Sequence, residues 1–140
     1  MMLALIGVVS SAAADERSMK TAMAHCYFVL LSGQSMEKRF PNAVPDPRNA
    51  SAFTEIRGET KVTVSPAQRI CRVEDATVTE ERAEEMVPDV AHIGRIVNLE
   101  KTFIGRGEPA VRGYFNKRPV VISWYRAAPS GAGYYVKVEE

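Results

Sequence analysis

Hydrophobic and polar positions alternate most cleanly near the C-terminal end of the chain, over residues 119–139. There Pro-Val-Val-Ile-Ser-Trp-Tyr-Arg and Tyr-Tyr-Val-Lys-Val-Glu flank the breaker run Ala-Ala-Pro-Ser-Gly-Ala-Gly, a pattern that predicts a β-hairpin. Strand side chains point alternately to opposite faces. Val120, Ile122, Trp124, Tyr134, Val136 and Val138 are therefore expected on an apolar inner face. Ser123, Tyr125, Tyr135, Lys137 and Glu139 are expected on the other. The only tryptophan falls on the inner face, which marks the hairpin as the anchor of the core.

A different period governs the N-terminal region. Met19, Ala22, Met23, Cys26 and Leu30 repeat at helical spacing, with Ser18 as the expected cap and Gly33 as the stop. Pro41, Pro45 and Pro47 exclude a long helix from residues 34–60, which read as an irregular segment holding at most a short helix over 49–56. Residues 61–64 and 70–78 read as strands, the second alternating Cys71 and Val73 with Arg72 and Glu74. Residues 79–86 predict a short acidic helix capped by Thr79 and ended by Pro88.

The remainder predicts a meander. Residues 95–104 carry Val97, Leu99 and Phe103 in one phase. Gly105-Arg106-Gly107 turns the chain, 110–115 places Val111 and Phe115 in phase, and Asn116-Lys117-Arg118 turns into the last hairpin. The expected fold is α+β, an N-terminal helix packed on an antiparallel meander sheet of about five or six strands. A cystatin-like or NTF2-like cone is one such architecture, by fold analogy alone.

Composition changes this picture little. One hundred and forty residues, 46% hydrophobic and 25% charged, suit one folded domain over 15–140. The formal net charge of +1 argues against binding nucleic acid by bulk electrostatics. Residues 1–14 are apolar and end in small residues, with Ala12-x-Ala14 suiting a signal-peptidase site. No Lys or Arg precedes the run, so a buried N-terminal element is the alternative. The run is too short for a stable membrane anchor.

Export to the periplasm or beyond would place Cys26 and Cys71 where disulfides persist. The helix and strand phases both turn these cysteines inward, so a Cys26–Cys71 disulfide is expected, two buried thiols being the alternative. It would close about 45 residues, worth roughly 4 kcal/mol in the chain-entropy model.

Chemistry is sparse. His25 and His92 are the only histidines. Ser123 and Ser130 sit in no nucleophile elbow, and Gly105-x-Gly107 lacks the context of a phosphate loop. A Cys26–His92 dyad would need a reduced Cys26. The acidic run at 80–85 lacks the alternating oxygens and glycine of a calcium loop. No catalytic residue, metal or cofactor is assigned. Arg112, Tyr114, Tyr125, Tyr135 and Lys137, all expected on the outer sheet face, are candidates for a binding face, because tyrosine and arginine combine large contact area with a polar tip. Aromatic cross-strand pairing alone would also account for the tyrosines. The expected function is a small exported module that binds a protein partner or envelope component, as an inhibitor, an immunity-type partner or an assembly factor. The alternative is a pocket protein or enzyme, with His92, Arg112, Tyr114 and Glu100 as candidate liners.

Overall fold

The computed structural model describes the backbone of residues 2–127 and 131–139, and the side chains of 16–127 and 131–139. Four helices and eight strands alternate along it: α1 (Met2–Leu30), α2 (Met36–Arg39), β1 (Val44–Asp46), β2 (Asn49–Arg57), β3 (Thr60–Ser65), β4 (Ile70–Asp75), α3 (Glu80–Glu85), α4 (Val87–Ile93), β5 (Val97–Ile104), β6 (Glu108–Phe115), β7 (Arg118–Ala127) and β8 (Gly131–Val138). The strands form one antiparallel sheet in the order β1-β2-β3-β4-β8-β7-β6-β5. It is thus α+β with a helix on an antiparallel sheet, and has eight strands where five or six were expected.

The sheet is two four-stranded meanders joined where β4 pairs β8. Short turns build each half. Asn116 and Lys117 both take the left-handed region (φ 46° and 68°), the conformation of a two-residue hairpin turn whose twist matches the strands it joins. The α3–α4 segment carries the chain from β4 to the far edge. It leaves β4 at Asp75, whose Oδ1 accepts from Thr77 N (2.8 Å) and Thr77 Oγ1 (2.6 Å) while Oδ2 accepts from Thr60 Oγ1 (2.7 Å). This local capping ends the strand three residues before the expected Val78.

The C-terminal hairpin has the expected register, with Val120 opposite Val138, Ile122 opposite Val136 and Trp124 opposite Tyr134. All six side chains are buried. Met19, Ala22, Met23, Cys26 and Leu30 of α1 pack into the same core, and α1 lies over β3 and β4 while α3 covers β7 and β8. Burying each large apolar side chain is worth about 1.5–3 kcal/mol. Cys26 and Cys71 form a disulfide with Cα atoms 6.1 Å apart, within the range the bond spans without backbone distortion. Buried tyrosine hydroxyls fasten the crossover: Tyr27 donates to Val90 O (3.0 Å) and Tyr134 to Ala83 O (2.5 Å).

Several local expectations are corrected. Ser18 does not cap a helix; α1 runs through it, and its hydroxyl meets Thr60 Oγ1 at 3.1 Å. Gly33 (φ 68°) does follow the helix end. The boundary read at residue 14 falls within α1, among positions whose side chains lie outside the described residues.

Residues 49–56 are not a helix but most of β2, paired to β3 from Phe53 opposite Val64 to Arg57 opposite Thr60. Glu55 faces the core there and is buried, held by the Arg57 guanidinium and by Asn42 N (2.9 Å). A carboxylate paired in this way with an arginine two residues along the same strand has its buried oxygens satisfied, which no local periodicity announces. Pro88 does not simply end a helix. It occupies the first turn of α4, where the missing N–H costs nothing, while Thr79 caps α3 through Arg82 N (3.1 Å) as expected.

Val97, Leu99 and Phe103 do not share a core phase. Asn98 is left-handed (φ 58°) at a bulge between Val97 and Glu100, so Val97 turns to the outer face with Tyr114 while Leu99 stays inside. All three side chains are exposed, because β5 is an edge strand.

Candidate functional site

The outer face of the central strands is built in rows, since residues opposite one another in an antiparallel ladder project to the same side. One row runs Glu74 on β4, Gly133 on β8 and Tyr125 on β7. Gly133 has no side chain, so the Tyr125 ring lies flat across it. A Cβ at Gly133 would stand only 2.5 Å from Tyr125 Cζ. Lying there, the Tyr125 hydroxyl crosses a whole strand to donate to Glu74 Oε2 at 2.7 Å. Burial first, and then the neighbouring Glu74 carboxylate, push this phenol well above the ordinary tyrosine range, so it stays a neutral donor.

The next row is Arg72, Tyr135 and Ser123. The Arg72 guanidinium lies 4.7 Å from the Tyr135 ring centroid and 5.9 Å from that of Tyr125, within cation–π reach of both. Ser123 is buried and donates to Pro109 O (2.9 Å). A third row brings together Lys137, Val121 and Arg112. Arg112 Nε bonds Glu139 Oε1 at 3.0 Å and borders the site.

Together these rows line a groove of about 590 Å³, floored by Tyr125, Tyr135, Ser123 and Val121 and walled by Arg72, Lys137 and the β5–β6 turn at Ile104 and Glu108. Of the five predicted face residues, Tyr125, Tyr135 and Lys137 line it directly. Arg112 stands at its rim through Glu139. Tyr114 shares the outer face but lies in a separate recess with Val97, Asn98, Asn116 and Lys117. The 34–60 segment, which could have covered these tyrosines, instead forms α2, β1 and β2 at the other end of the sheet.

Sequence reasoning missed Arg72 and Glu74. Their alternation with Cys71 and Val73 was visible, but nothing local says that β4 lies beside β8. Glu100 and Arg112 oppose each other on the outer face, whereas His92 is exposed on α4, so the candidate liners of an internal pocket do not gather. Cys26 is engaged with Cys71, which removes the Cys26–His92 dyad. His25 Nδ1 lies 2.9 Å from Arg39 O and 3.2 Å from Arg57 Nη2, inside the polar cluster around Glu55. Among the described residues no three His, Cys, Asp or Glu side chains converge on one point. Among the same residues no helix is long and apolar enough to cross a membrane.

The class defined here is a disulfide-linked α+β protein with a helical layer on one face of an eight-stranded antiparallel sheet and an aromatic, charged groove on the other. Comparison with protein-family models, with curated proteins and with solved structures found no match for this chain.

Proposed function

We propose that the protein is an exported binding module that engages a protein partner or envelope component through the outer-face groove. The observation that carries this reading is the row construction itself. Tyr125 is laid over Gly133 and held by Glu74, while Arg72 is stacked on Tyr135. Rigid aromatic side chains with polar tips bind at low entropic cost. The Cys26–Cys71 disulfide supports a periplasmic or extracellular setting, because such bonds persist in oxidising compartments.

A second reading has its own support. The groove volume of about 590 Å³ falls within the range of small-ligand sites. A cone-like fold would hold its ligand between helix and sheet, yet that space is occupied by Met19, Met23, Ile122, Tyr134 and Val136. A ligand would therefore sit in the groove, and the protein-partner reading is the better supported.

The test is crosslinked capture from an envelope extract by the disulfide-bonded chain and by an Arg72→Ala, Tyr135→Ala variant. A discrete protein taken up by the parent and lost by the variant, with an unchanged melting temperature, is the expected result. Equal capture by both, or capture by neither, would overturn the proposal.

A further inference from the structure

The two edges of the sheet are not alike. β1 is short and contains Pro45, which cannot donate to a ladder, so that edge is closed to further strands. β5 spans Val97–Ile104, has β6 on one side and, among the described residues, no strand on the other. Its inner-face side chains are Leu99, Lys101 and Phe103, the last 72% exposed. A row of free backbone groups beside exposed apolar side chains is the template for strand addition.

A second copy of this chain fits that edge poorly. A two-fold antiparallel pairing keeps each residue opposite another of the same face. Centred on residue 101, it would match Leu99 with Phe103 but set Lys101 against Lys101. Centred on residue 100, it would set Glu100 against Glu100. Like charges directly opposite destabilise a ladder. Centred on residue 102 the ladder is shorter and sets Lys101 against Phe103, and no two-fold register sets Lys101 opposite Glu100, because the two lie on opposite faces. Arg112, opposite Glu100 on β6, is bonded to Glu139, and neither Glu100 nor Lys101 has a salt-bridge partner among the described residues. Of these two charges Lys101 is the one on the inner face, between the apolar positions Leu99 and Phe103.

We propose that the β5 edge accepts an extended strand from a different protein. That strand carries an acidic residue opposite Lys101 and apolar residues two positions to either side, opposite Leu99 and Phe103. Lys101 then has two effects: it disfavours self-pairing and selects the acidic strand. Of β5 only Ile104 also lines the outer-face groove, so loss of either site leaves the rest of the other in place.

A labelled peptide Val-Ile-Thr-Glu-Lys-Ile-Thr sets Glu against Lys101, Lys against Glu100 and Ile against Leu99 and Phe103. Its binding to the disulfide-bonded full chain is read by fluorescence anisotropy, and the location by amide-exchange protection. The expected result is saturable binding that protects residues 97–104. Exchanging the peptide Glu for Lys should weaken it roughly three- to tenfold, and Lys101→Glu should reverse that preference. No binding, equal binding of both peptides, or protection at the groove instead of β5 would overturn the proposal. So would self-association of a Lys101→Val variant without peptide binding by the parent, which would leave Lys101 as a guard and nothing more.

Discussion

Tyr125 and Gly133 show how much one missing side chain can decide. The tyrosine reaches Glu74 only because the strand between them carries glycine at that row. The backbone there permits alanine, and the atoms in the way are the far end of a side chain that can move. Gly133→Ala is therefore expected to cost less than about 1 kcal/mol while swinging the Tyr125 ring off its seat and breaking the bond to Glu74. Gly131, two residues earlier, has a different neighbour: a Cβ there would stand 2.2 Å from the backbone oxygen of Asp75. Backbone in a paired strand cannot step aside, so Gly131→Ala should cost about 1–3 kcal/mol. Thermal melts of the two variants, with side-chain NMR of Tyr125, would check the contrast. Equal destabilisation would mean that the groove and the β4–β8 seam are not built as described. Both glycines are plain in the sequence. Their different neighbours are not, because Asp75 and Tyr125 come from other strands.

At the scale of elements, the disulfide joins the two layers, since Cys26 lies on α1 and Cys71 on β4. With a sequence separation of 45, its removal by paired Cys26→Ala and Cys71→Ala substitutions should cost roughly 4 kcal/mol. That is on the order of 10–20 °C in melting temperature for a domain of this size. An unchanged melting temperature on reduction would show that the α1–sheet packing stands without it. This link was legible from the chain alone, because two independent periodicities each turned a cysteine inward. The β2 strand was not legible. Its residues 52, 53 and 56 imitate a helical stripe, and only pairing with β3 and the placing of Arg57 beside Glu55 reveal a strand with a buried carboxylate. β5 misled in the opposite direction: an apolar phase that looks like core is broken by the bulge at Asn98 and lies at an edge.

For the molecule as a whole, tyrosine hydroxyls tie helices to one another, helix to sheet and strand to strand. Tyr27 links α1 to α4, Tyr134 links β8 to α3, and Tyr125 links β7 to β4. Burial is the first cause that raises all three phenols above the ordinary value of 10.0, helped for Tyr27 by Tyr134 and for Tyr125 by Glu74. Below pH 10 these groups are protonated in both folded and unfolded chains, and the stability they confer is fully present. Above it the unfolded chain releases their protons first, so stability falls as pH rises, by up to about 1.4 kcal/mol per pH unit for each tyrosine. Melting temperature measured from pH 8 to 11.5 should decline beyond pH 10, and Tyr27→Phe should flatten part of that decline at the cost of a lower plateau. A profile indifferent to that substitution would contradict the buried donor role of Tyr27.

What the sequence determined by itself is whatever repeats within one element. That includes the helical stripe of α1, the two faces of the C-terminal hairpin, the Thr79 cap, the turn that begins at Asn116, and the inward cysteines. Each follows from local sterics and from the period of burial. What only the tertiary structure decided is which strands become neighbours. The pairing of β4 with β8 assembles Arg72, Tyr125 and Tyr135 into one groove and brings Glu74 to the hydroxyl of Tyr125, 51 residues away in the chain. The far-edge placement of β5 exposes the side chains that looked like core. Strand order depends on long-range closure and on the path of the α3–α4 crossover, which no local pattern encodes.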